Sequence, residues 1–126
     1  MNSARFTRAR TISLEAGANY VLDYVIPIGC EFTVNELFMS CTKTVLCEIL
    51  YSNDAGETWI NPWDDEATHL LWVVIAGGIP AFASPENTVF YGDGENTKLR
   101  LRFTNLATEL LNGFYLVKAT EYYAEA

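Results

Sequence analysis

A chain of 126 residues suits one domain. At that size about two-thirds of the unfolded chain's surface is buried on folding, so a core needs no disulfide or metal to hold it. Half the residues are apolar, seventeen are aromatic and only 19 % are charged, which points to a dense core or a self-associating face. The net charge of −8 excludes the broad basic face that a nucleic-acid partner demands.

The first ten residues carry Arg5, Arg8 and Arg10 and no acid. Residues 1–10 read as a basic N-terminal arm or edge strand, and residues 11–126 as a single β-sandwich domain. Positions 11–97 hold thirteen acids against one base, Lys43. The three arginines are therefore candidate inter-subunit contacts, drawn to the acidic body of a neighbouring copy. The start Met-Asn-Ser-Ala-Arg-Phe-Thr-Arg lacks the apolar stretch of a secretory signal.

Phe6, Ile12 and Leu14 mark a first strand over 5–14, and Glu15 to Asn19 a turn. Tyr20, Leu22, Tyr24 and Ile26 alternate on one face of a second strand, which Pro27-Ile28-Gly29 ends. In Cys30 to Cys41 the apolar residues switch face, from Phe32 and Val34 to Leu37 and Met39. A bulge at Asn35-Glu36 accounts for the switch. If Thr42-Lys43 is a two-residue hairpin turn, Cys41 pairs with Thr44 and Cys47 lies opposite Phe38, so that turn creates no cross-strand disulfide. Thr44 to Tyr51 is apolar on both faces, so a second layer or a neighbouring chain must cover it. Cys30, Cys41 and Cys47 are an odd count without regular spacing, so free, mostly buried thiols are expected and neither a disulfide framework nor a zinc site.

Ser52-Asn-Asp54-Ala-Gly56-Glu-Thr58-Trp59 is the most specific segment. Asp54 can accept hydrogen bonds from the N–H groups of a turn, Gly56 can take a positive φ, and Trp59 can lay its ring on the hairpin. Asp64-Asp65-Glu66 is an acidic loop. Leu70 to Ala76 is an unbroken apolar strand. The longest apolar run, Leu70 to Ile79, reaches about half a membrane span and carries a Gly-Gly break, so no membrane partner is expected. Thr88 to Tyr91 is a further strand and Gly92 to Asn96 a turn. From Lys98 to Phe103 the alternation is clean, with Leu99, Leu101 and Phe103 inward and Lys98, Arg100 and Arg102 outward. Thr104 to Asn112 is the one helix candidate, capped by Thr104 or Asn105 and closed by Gly113. Phe114 to Tyr123 is the last strand. Eight or nine short strands with at most one short helix define an all-β fold: an antiparallel β-sandwich of jelly-roll type.

Chemistry-bearing candidates are few. His69 is the single histidine, and no local motif gives it a partner. Asp64, Asp65 and Glu66 could supply the paired carboxylates of a glycosidase, although consecutive loop acids ordinarily form a solvated face. Asp93, Glu95 and Asn96 could offer oxygens to calcium, but without the spacing of an EF-hand loop. No catalytic residue, cofactor or metal is assigned on these grounds.

The segment 52–59 fits S-x-D-x-G-x-T-W and resembles the Asp-box of sialidase-like proteins. The resemblance implies a stable structural hairpin built on Ser52, Asp54, Gly56 and Trp59, and no hydrolysis. Val89 to Asn105, with its Gly-Asp-Gly turn before an alternating strand, resembles the late strands of small β-sandwich proteins of bacteriophage particles. That resemblance implies a non-enzymatic virion component, made in the host cytoplasm: a capsid decoration or cement protein, or a tail or fibre part. The apolar excess and the doubly covered strands point to a homo-oligomer, with a trimer favoured, and the resemblance adds other virion proteins as partners. The alternatives are a carbohydrate-binding module that stacks sugars on Trp59, Trp63, Tyr122 or Tyr123, and a small β-sandwich enzyme.

Overall fold

Alternating burial decides the layers. The computed structural model describes residues 2–60, 73–75, 81–83 and 89–123. In β8 (Lys98–Asn105), Leu99, Leu101, Phe103 and Asn105 are buried and the residues between them are half-exposed. In β2 (Asn19–Val25), Tyr20, Leu22 and Tyr24 pack against the core while Val21 and Val25 are exposed. A strand with one apolar face must bury it against a second layer, and two such layers make a sandwich.

One sheet runs β1 (Asn2–Leu14), β9 (Leu111–Tyr123), β3 (Cys30–Cys41), with β6 (Ala81–Ala83) and β7 (Val89–Tyr91) both pairing with β3. The other runs β2, β8, β4 (Val45–Ser52), β5 (Val73–Ile75). All pairings are antiparallel. With β6 and β7 taken as two halves of one broken edge strand, this is the two-sheet order of an eight-strand jelly roll, as the strand rhythm led us to expect. Tyr115 and Phe103, both fully buried, meet at the centre with ring centroids 5.0 Å apart.

Residues 2–14 form one continuous strand. β1 pairs with β9 along its whole length, from Asn2 opposite Tyr123 to Leu14 opposite Leu111. Phe6 packs on Tyr24 and Phe32 at 4.8 and 5.6 Å between centroids. The bulge falls where the change of face placed it. Val34 pairs with Ala119 and Glu36 with Lys118, which makes Asn35 the extra residue.

Two local expectations are overturned. Thr42-Lys43 is not a hairpin turn within one sheet, because β3 and β4 belong to different sheets. Met39 and Cys41 face the core from one layer and Val45 and Cys47 from the other, so both strands bury their apolar faces only by changing layer. Cys47 accordingly donates its S–H to Met39 Sδ at 3.2 Å across the sandwich. The helix over 104–112 is also absent. Thr104 and Asn105 end β8, Leu111 begins β9, and the residues between form a turn. Asn105 Nδ2 donates to the carbonyls of Leu14, Glu15 and Glu109 at 3.1, 3.1 and 2.9 Å, and its Oδ1 accepts from Ala107 N. Side-chain bonds of this kind compete with a helix for the same backbone groups, and here they win.

Candidate functional site

Three loops meet at one pole of the sandwich: 26–29, 53–59 and 92–97. Backbone hydrogen bonds join them, from Ala55 N to Asn96 O at 3.0 Å, Gly94 N to Ile26 O at 3.0 Å and Gly92 N to Cys30 O at 2.8 Å. Gly92 permits this approach, since a Cβ there would lie 2.1 Å from Pro27 O.

The loop 53–59 is built around Asp54. Its Oδ1 accepts from Ser52 Oγ at 2.6 Å and from Thr58 N at 2.9 Å, and its Oδ2 accepts from Thr58 Oγ1. Ser52 Oγ in turn accepts from Gly56 N at 2.9 Å. These donors, Ser52 first and then Thr58, lower the Asp54 carboxyl from 3.8 to about 2. Ala55 and Gly56 take φ of +62° and +91°, and the Trp59 ring lies directly on Gly56. The Arg100 guanidinium sits 4.2 Å from the Trp59 ring centroid and is held there by two hydrogen bonds to Asp23, at 2.7 and 2.9 Å. Ser52, Asp54, Gly56 and Trp59 are thus brought together, in a hairpin whose tryptophan is engaged in packing.

Asp93 organises the neighbouring loop. Its Oδ1 accepts from the amides of Glu95, Asn96 and Thr97 at 2.9, 2.7 and 2.9 Å, which holds its carboxyl well below the usual range. Of the oxygens of Asp93, Glu95 and Asn96 considered for calcium, Asp93 Oδ1 is thus taken up by three N–H groups.

Glu121 was not singled out from the sequence. It lies buried on the inward face of β9, after Val117 and Ala119. Tyr24 Oη donates to its Oε1 at 2.8 Å, Tyr123 Oη donates to its Oε2, and the Cys30 thiol lies 3.9 Å from Oε2. Burial, and then the carboxylate beside it, push the Cys30 thiol up, and burial also pushes up those of Cys41 and Cys47. All three are free and buried, and the shift disfavours the thiolate form. The inward repeat Val117, Ala119, Glu121 was the signal available in the sequence.

The three arginines are not one group. Arg8 lies over the Phe6 ring at 5.4 Å, on the same face of β1 as the buried Ile12 and Leu14. Arg10 donates to Ala9 O at 2.8 Å. Arg5 is turned to the outer face of the sheet, beside Thr7, Lys118 and Thr120. Tyr122 is exposed, and Tyr123 is bound to Glu121. His69, Asp64, Asp65, Glu66 and Trp63 lie outside the described residues.

No protein-family model matches the chain, and no curated protein matches it in sequence. Among solved structures it is similar to a de novo designed double-stranded β-helix, with 12 % identity over 88 % of this chain and 97 % of that one, at a TM-score of 0.40. It is also similar to structures of infectious bursal disease virus. The Gx strain shows 10 % identity over 94 % of this chain and 32 % of that one, at 0.46. The Gt strain shows 10 % identity over 98 % of this chain and 37 % of that one, at 0.44. The chain thus spans about a third of the viral chains it resembles. At these scores the likeness carries no argument about function, and the fold rests on the strand order and register above.

Proposed function

We propose that this jelly roll is a non-enzymatic structural component of a virus particle, of the phage type that its late strands resemble, acting through contacts between copies and with a host shell. A capsid decoration or cement role comes first, and a tail or fibre part second. The carrying observation is how the described side chains are used. Asp54, Asp93 and Asn105 hold turns, and Glu48–Arg102 and Asp23–Arg100 are ion pairs between strands. Meanwhile Ile28, Ile60, Tyr91, Phe114 and Tyr122 are exposed, spread over the loop pole and the outer face of the β1–β9–β3 sheet. Polar groups engaged in architecture and apolar groups left at the surface suit adhesion better than turnover.

The reading is tested by sedimentation velocity at micromolar concentration. A mass several times 14.1 kDa, with three copies favoured, is the expected result. A monomer at every concentration overturns it. Cosedimentation of the tagged protein with shells of the source virus then separates a decoration role from a tail or fibre role.

A further inference from the structure

The outer face of the β1–β9–β3 sheet is indented at the β3 bulge. The groove there, about 290 Å³, is lined by Arg5 and Thr7 of β1, Asn35 and Glu36 of the bulge, and Lys118 and Thr120 of β9. Phe6 and Ala119, whose side chains turn inward, contribute its floor. Lys118 and Glu36 approach only to 3.7 Å, a loose pair that neutralises the one acid in the groove. Arg5 is exposed and has no hydrogen bond or ion pair among the described residues. Thr120 Oγ1 already donates to Asn35 Oδ1 at 2.7 Å, while Thr7 offers a further hydroxyl. The groove therefore presents one uncompensated guanidinium, an ammonium shared with Glu36 and a hydroxyl, with one net positive charge to receive a carboxylate.

The acids that complement it lie in the turns of the loop pole, outside the residues that line the groove. At the loop pole, Asp54 and Asp93 are taken up by their own turns, whereas the side chains of Glu57 and Glu95 are exposed and engage no described residue. The two turns that carry them are joined by the Ala55–Asn96 hydrogen bond, so both acids belong to one connected tip. On a chain of net charge −8, a basic groove and an acidic tip are complementary surfaces.

Building on the assembly reading above, we propose that the Glu57/Glu95 tip of one copy docks in the Arg5/Lys118 groove of the next. The two surfaces differ, so the contact is heterologous. Copies joined this way close into a ring when the rotation between them allows, and a three-membered ring is the simplest form that agrees with the favoured trimer. The contact is polar and rim-like, so it sets the register of assembly and makes it sensitive to salt.

The test compares four full-length proteins by sedimentation velocity at low and high salt: the wild type, Arg5→Glu/Lys118→Glu, Glu57→Lys/Glu95→Lys, and the protein carrying all four changes. Each double variant is expected to self-associate at least roughly tenfold more weakly than the wild type at low salt, because attraction becomes repulsion at two contacts. The fourfold variant is expected to regain the wild-type size. Thermal unfolding confirms that each protein is folded. If a double variant is not, the neutral changes Arg5→Ala and Glu57→Gln/Glu95→Gln replace it, with a smaller weakening expected. A wild type that assembles while both doubles assemble equally well overturns the groove contact and leaves the assembly reading standing. A fourfold variant that stays dissociated also overturns the groove contact. A monomeric wild type overturns both.

Discussion

Asp54 shows how much one side chain can organise. Its two oxygens and the Ser52 hydroxyl satisfy the turn's amides, allow Ala55 and Gly56 to hold positive φ, and set Trp59 against Arg100. Asp54→Ala removes the acceptors and leaves Thr58 N without its side-chain partner. The expected result is a thermal midpoint lower by a few degrees with an unchanged far-ultraviolet spectrum, measured by circular dichroism. An unchanged midpoint would remove the structural role of the carboxylate. Gly92 belongs to the same pole for a different reason. Its neighbours leave no space for a side chain, whereas Gly56 is needed for its backbone conformation.

At the scale of the element, β1 decides how the N-terminus is to be understood. A basic arm would be dispensable. A strand paired along thirteen residues with β9, and packed through Phe6 on Tyr24 and Phe32, is not. Deleting residues 1–10 strips most of β9 of one of its two ladder partners and uncovers two aromatic rings. The expected cost is well above about 2 kcal/mol, read as a large fall in the urea midpoint or as loss of cooperative unfolding. A truncated protein that unfolds like the full chain would show that the strand adds nothing to the core. The structure also separates roles that the spacing of the arginines had merged, since Arg8 covers Phe6 and Arg5 faces the groove.

For the whole molecule, titration sets a window of stability. Asp54 is lowered from 3.8 to about 2 by its hydrogen bonds, and Asp93 is lowered by its three amides. A carboxylate depressed in the folded state stabilises fully above its unfolded value, and that contribution is lost as pH falls through the folded one. Tyr24, raised from 10.0 chiefly by burial, and Tyr123, raised chiefly by its bond to Glu121, act in the opposite sense. Their contribution is complete below the unfolded value and is lost as pH rises through the raised folded values. Cys30, Cys41 and Cys47, raised from 9.0 chiefly by burial, act in the same sense as the tyrosines, so the thermal midpoint is expected to be level between about pH 4 and pH 9 and to fall on either side. Asp54→Asn/Asp93→Asn should flatten the acid limb. A limb of unchanged slope in that variant would place the acid sensitivity elsewhere.

Much of the architecture is legible in short-range pattern, because a period of two settles which residues share a face without reference to the rest of the chain. Leu99, Leu101 and Phe103 announce one buried face, and the change of face around Asn35 announces the bulge. The Asp54 turn is equally local, with every partner within four residues. Tertiary structure decided the rest. Whether β4 returns beside β3 or crosses to the other sheet depends on which layer can bury Val45 and Cys47. Whether residues 104–112 coil into a helix depends on carbonyls of Leu14 and Glu15, 91 and 90 positions away from Asn105. Glu121 meets Tyr24 across a separation of 97 residues, and the groove is assembled from three strands. Alternation says which way a side chain points. What it meets there depends on strand order, and strand order follows from burying all the apolar faces at once.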